Sequence, residues 1–149
     1  MDMLQLFNKC ISCKYNHVEN SGDYFIERKG NSLYIYLECS KGNIDWKNNF
    51  DFPAKPYKRM GRTIWFAHRG FTRVWKSIEG YIEPYIRDKS VEDITVVGYS
   101  HGAALAVFCH EYIWYHRPDL RAKIKGYGFG CPRVIWGIKT RQIKQRWEH

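Results

Sequence analysis

Residues 94 to 108 read ITVVGYSHGAALAVF. Four apolar residues, Ile94 to Val97, make a short run without alternation, as in a strand buried on both faces. Gly98-Tyr99-Ser100-His101-Gly102 then fits G-x-S-x-G, and Ala103, Ala104 and Leu105 open a helix of small and apolar residues. A strand that turns at once into a helix constrains the fold more than any other stretch. It calls for an α/β arrangement in which the turn lifts one side chain above the end of a sheet. In that turn Ser100 is a candidate nucleophile, and a helix N-terminus beside it favours a negative oxygen developing there. The same pattern also fits a glycine-rich turn carrying a spectator serine.

The remaining chain supports a single domain of this class. Asp23 to Cys39 alternates on either side of Lys29-Gly30-Asn31, which predicts a β-hairpin. Arg62 to His68 predicts a short strand. Phe71, Val74, Trp75, Ile78, Tyr81, Ile82, Tyr85 and Ile86 recur at helical spacing over residues 71 to 88, with Pro84 expected to kink or end that helix. His101 to Tyr115 predicts a helix stopped by His116-Arg117-Pro118, Lys123 to Gly130 a strand, and Val134 to Trp147 a basic helix. Residues 40 to 52 are polar with interspersed aromatics and read as a loop or short helix.

The 149 residues suffice for one core, and Lys plus Arg exceed Asp plus Glu by 24 to 15, a net charge of +9. That excess admits anionic partners, an acidic lipid surface among them, and equally fits a solvated basic surface. No nucleic-acid-binding motif accompanies it, so a nucleic-acid partner is not expected. The N-terminal MDMLQLFNKC has no basic region followed by an apolar core, and no stretch approaches a membrane span, so the default expectation is a cytoplasmic protein. Five cysteines without a secretory signal suggest free thiols. Cys10-x-x-Cys13 lacks a second pair to complete a zinc site, and neither a metal nor another cofactor is expected.

Four stretches in order resemble the class 3, fungal-type lipases of the α/β-hydrolase fold. They are LYIYLECSKGNIDWKNNFDF, with Asp45, Trp46, Asn49 and Phe52; HRGF at residues 68 to 71; VVGYSHGAAL around the serine; and GYGFGCPRV at residues 126 to 134. The resemblance implies a partial α/β-hydrolase: a mostly parallel sheet, an N-terminal hairpin and flanking helices. It implies a fatty-acyl ester substrate, such as an acylglycerol or phospholipid, hydrolysed through an acyl-enzyme at Ser100. It implies an oxyanion hole from Ser40 and the backbone N–H of His101, and a lid-like segment over residues 41 to 49. Glu38-Cys39 stands where the family usually has Arg-Gly, a departure that a glycine-dependent loop would feel.

In this fold the acid and the base follow the serine in chain order. After Ser100 come Glu111, Asp119 and Glu148, and His101, His110, His116 and His149. Glu111 falls mid-helix. Asp119 falls past the helix's far end, about 22 Å from its start at 1.5 Å per residue. His68 precedes the serine and is out of order. The expectation is therefore the N-terminal portion of a lipase-like domain over residues 1 to 149, with the later acid and base absent. Two readings stay open: an ester hydrolase, or a catalytically incomplete remnant that binds lipid or membrane. The strand at GYGFG would lie at an exposed sheet edge and favour self-association.

Overall fold

The structure is a computed structural model and describes residues 1–18, 22–39, 54–59, 62–130 and 135–136. The chain begins with helix α1 (Met3–Ser12) and continues through β1 (Asn16–His17) and the hairpin β2 (Gly22–Lys29) and β3 (Ser32–Cys39). β4 (Ala54–Arg59) and β5 (Arg62–His68) follow, then α2 (Arg69–Arg87), β6 (Asp93–Tyr99) and α3 (His101–His116). A 3-10 turn (Pro118–Lys123) leads to β7 (Ile124–Phe129), and β8 (Ile135–Trp136) closes the described elements.

Five strands form one sheet in the order β1-β2-β3-β6-β7. β1, β2 and β3 pair antiparallel, whereas β6 runs parallel to both β3 and β7. The sheet is therefore mixed, its parallel part built around the strand that leads into Ser100. The hairpin turns at Gly30, whose φ of 60° suits a residue without a Cβ. β4, β5 and β8 make a second, antiparallel sheet. Pro56 is tolerated in β4 because that strand lies at an edge. Ile135 and Trp136 pair with Ala67 and Phe66, so the helix expected over residues 134 to 147 does not begin there. Apolar residues at a strand partner's edge outweigh helical spacing in so short a window. The rest of that expected helix, the loop at 40 to 52 and the lid-like segment lie outside the described residues.

One face of the five-stranded sheet holds the main core. Leu33, Ile35 and Leu37 of β3 and Ile94 and Val96 of β6 point to it, by the period of two in a strand. α2 supplies Phe71, Val74, Trp75, Ile78, Ile82 and Ile86, all buried. Each fully buried isoleucine there contributes about 1.5–3 kcal/mol. Tyr81 and Tyr85, expected on the same stripe, are exposed instead; they lie to one side of it, and Tyr81 stacks on Tyr24 at 6.1 Å. α2 runs through Pro84 to Arg87. Ile82 and Ile86 are buried on either side of the proline, and the Arg117 guanidinium accepts the role of a cap by donating to the carbonyls of Ile86 (2.8 Å), Asp88 (2.9 Å) and Val91 (3.0 Å). Asp119 pairs with the same guanidinium at 2.8 Å, so this buried charge is satisfied.

The opposite face carries Phe25, Tyr34, Tyr36, Val97, Tyr127 and Phe129, packed with Leu6 and Cys10 of α1. α1 is an addition to the elements expected from the sequence. Its signal was the pair Asp2 and Gln5: the Asp2 carboxylate accepts from the Gln5 backbone N–H at 2.8 Å while the Gln5 side chain accepts from that of Asp2 at 2.9 Å, a reciprocal cap.

Candidate active site

β6 delivers the chain to Ser100 from the middle of the parallel strands, and α3 departs from it. Ser100 has φ 51° and ψ −119°, the one positive φ found outside glycine among the described residues. An L-residue there costs about 1–3 kcal/mol and persists only where its surroundings over-determine it. The surroundings do so here. A Cβ on Gly98 would run into the carbonyl of Gly102, and a Cβ on Gly102 into the carbonyl of Leu37. Both motif glycines are thus required by close backbone approach, one within the turn and one where α3 meets β3. The Ser100 N–H donates to the Phe129 carbonyl at 2.7 Å, which ties the turn to the end of β7, and the Ala103 N–H donates to the Ser100 carbonyl at 3.0 Å.

Ser100 stands at the N-cap of α3, yet its side chain makes no capping hydrogen bond. Ser100 is half-buried at the positive end of a 16-residue helix. The His101 ring leaves the turn toward α2 and lies 5.8 Å from the Phe71 ring, so its side chain is spent on packing while its backbone belongs to the first turn of α3. Tyr99 points to the opposite face and meets Phe7 at 5.8 Å. Leu37 pairs with Gly98, and β3 ends two residues later at Cys39, so the end of β3 lies beside this turn. Ser40 itself lies outside the described residues, as do Glu148 and His149.

Among the side chains described, Glu111, His110, His116 and Asp119 sit elsewhere; the side chain of His68 is not among them. Glu111 and His110 are buried within α3, with His110 stacked on Trp114 at 6.4 Å. His116 stacks on Tyr112 at 3.9 Å at the far end of that helix, and Asp119 is held by Arg117 beyond it, which keeps its carboxyl below the usual range. One histidine–carboxylate pair was not foreseen: His17 Nδ1 lies 2.6 Å from Asp23 Oδ1. It sits on β1 and β2, level with Tyr99 through Glu38, but His17 is three strand spacings from β6, about 14 Å, and Asp23 two, about 10 Å. That is out of hydrogen-bond reach of Ser100. Cys10, Cys13 and Cys109 are free thiols, burial pushes all three up from the ordinary thiol range, and no group of three or more metal-ligating side chains occurs among the described residues.

The family model for lipase (class 3) matches residues 34–145. The chain belongs to the class 3 lipase family. The match runs from the first core strand through the serine turn and past β7. Solved structures agree in fold. A lipase from Rhizopus microsporus var. chinensis superposes with a TM-score of 0.71 at 17% identity, covering 89% of this chain and 48% of that one. Lipase II from Rhizopus niveus gives 0.70 at 14%, covering 90% and 53%. A triacylglycerol lipase whose catalytic centre is described as a serine protease triad gives 0.63 at 18%, covering 82% and 48%. The chain thus spans about half the length of these fungal lipases. No curated protein sequence matches it. Among the described residues no helix is long and apolar enough to cross a membrane.

Proposed function

We propose that the chain is the nucleophile-bearing part of a serine carboxylic-ester hydrolase acting on fatty-acyl esters. The observation that carries this reading is the backbone of Ser100: a non-glycine residue at positive φ, held there by two glycine contacts, with its hydroxyl uncommitted to capping. Strain of this kind gathers at functional sites because a relaxed turn would aim the side chain elsewhere. The triad described for a lipase of the same fold supports it.

In this reading Ser100 Oγ attacks the ester carbonyl carbon, its proton passes to a general base, and the alcohol leaves with that proton. Water then cleaves the acyl–serine bond and regenerates the hydroxyl. The tetrahedral oxygen would take hydrogen bonds from the backbone N–H of His101 and from Ser40, the residue that follows β3 in sequence. No described histidine–carboxylate pair reaches Ser100, so the base and its acid would come from residues outside those described or from the further sequence that the longer lipases possess.

The test is hydrolysis of a soluble short-chain p-nitrophenyl ester, with covalent labelling by a fluorophosphonate. Ser100→Ala is expected to abolish labelling and to lower turnover by at least about 10³-fold. Ser100→Gly is expected to do the same while raising stability by about 1 kcal/mol, because it removes the strain. Equal rates and equal labelling in wild type and Ser100→Ala would leave the lipid-binding, non-catalytic reading in its place.

A further inference from the structure

Tyr34 of β3 pairs with Thr95 of β6, and Thr95 with Lys125 of β7, so these three side chains form one row across the α1 face of the sheet. Tyr127 lies two residues past Lys125 on the same face, and Asp93 two residues before Thr95. The row borders a cavity of about 290 Å³, which Leu6 of α1 and Lys123, from the turn before β7, also line. Thr95 lies five residues back from Ser100, about 17 Å along the strand, so the cavity is separate from the serine turn.

The cavity is rich in donors that have nothing to donate to. Thr95 is only 8% exposed, yet among the described residues its hydroxyl has no hydrogen-bond partner. Buried polar groups are ordinarily hydrogen-bonded, and the protein leaves this one for a group in the cavity. The Tyr34 and Tyr127 phenols are likewise without a hydrogen bond, and neither Lys123 nor Lys125 meets a carboxylate, among the described residues. The carboxylate that lines the cavity, Asp93, is already engaged: its Oδ2 accepts from the Ser32 hydroxyl at 2.7 Å. Glu27, across from Tyr34 on β2, is held by Lys9 at 2.7 Å and Lys29 at 3.2 Å. An occupant must therefore bring acceptors of its own.

We infer that this cavity is a binding site for a small organic carboxylate. An ammonium group only donates, so Lys123 and Lys125 call for an acceptor, and with Asp93 they leave a single positive charge for a monoanion to match. The volume sets the size: at about 30 Å³ per water-sized group, it holds roughly ten non-hydrogen atoms. Leu6 and the rings of Tyr34 and Tyr127 give the body of such a ligand an apolar wall, while Thr95 and the lysines fix its charged end. A ligand seated there touches α1, β3, β6 and β7 together, so binding fastens α1 to the sheet. The inference stands whether or not Ser100 is a nucleophile.

The test is isothermal titration calorimetry with sodium benzoate. Saturable binding of one benzoate per chain, with a Kd below about 1 mM, is expected, together with a melting temperature that rises with benzoate concentration. Lys123→Gln/Lys125→Gln is expected to weaken binding by at least about 10-fold. Both lysines are exposed, and circular dichroism melting without benzoate checks that the fold is kept. Asp93→Asn, which keeps an acceptor for Ser32, is expected to tighten binding by about 3-fold or more, because it removes a charge that repels the ligand. Benzyl alcohol, with the same ring and no charge, is expected not to bind. Wild type without saturable benzoate binding would show that the cavity holds water only, and overturns the inference. A double variant that binds equally, an Asp93→Asn variant that binds more weakly, or tighter binding of phenyl phosphate or benzylamine than of benzoate overturns it too.

Discussion

The two faces of the five-stranded sheet differ in what covers them. The α2/α3 face is shielded by a 19-residue and a 16-residue helix, and Ile78, Ile82, Ile94 and Val96 are fully buried there. Among the described residues the α1 face is shielded by one 10-residue helix, carries tyrosines and lysines, and leaves a cavity of about 290 Å³ lined by Leu6, Tyr34, Thr95, Lys125 and Tyr127. A parallel sheet needs cover on both faces. The closed face therefore carries the stability, and the open face has surface left over for contact. Ser100 sits between them: His101 turns toward the closed face and Tyr99 toward the open one.

The sharpest way to break this comparison is Gly102→Ala. The new methyl meets the Leu37 backbone, which cannot move without displacing β3, so a loss of about 3 kcal/mol or more in urea denaturation is expected. A loss under about 1 kcal/mol would mean that α3 is not locked to the sheet. Next come cavity-forming changes on each side. Ile82→Ala, within the closed face, is expected to cost about 2–5 kcal/mol, and Leu6→Ala about 2 kcal/mol, because a single short helix can settle into the space it leaves. Equal costs would show the two faces to be equally consolidated.

The smallest effect concerns the turn between α2 and β6. The Asp88 carboxylate accepts from the Ser90 hydroxyl and backbone N–H and then from Arg28, which holds its pKa at about 2, below its ordinary 3.8. A depressed carboxylate stabilises the fold above the unfolded value and loses that contribution as pH falls through the folded one. Asp88→Asn is therefore expected to flatten the acid limb between pH 3.8 and about 2, read by fluorescence during acid titration. An unchanged limb would show that Arg28 and Ser90 do not anchor the closed face to the hairpin.

Much of this fold is legible along the chain. The hairpin, β5, α2, β6, α3 and β7 all announce themselves by periodicity and by glycine or proline at their ends, and the serine turn by its strand and helix. The stripe on α2 was blurred by Tyr81 and Tyr85, whose rings are apolar enough to fit the pattern and polar enough to stay in water. α1 escaped because ten residues carry a weak periodic signal, although its reciprocal cap was written in Asp2 and Gln5. β8 was hidden in a stretch that reads as basic helix, because strand pairing is decided by the partner rather than by the two residues concerned.

The sequence by itself determined the strand–turn–helix and the two glycines that permit it, since those depend on neighbours a few residues apart. It could also order the acids and histidines along the chain. Only the tertiary structure decided what they are near. Leu37 needs Gly102 because β3 and α3 meet across 65 residues of chain, Arg117 closes the end of α2, and His17 finds Asp23 at the hairpin side of the sheet, strands away from the serine. Side-chain proximity is set by the packing of the whole sheet, and a base becomes a partner for Ser100 only at hydrogen-bond distance.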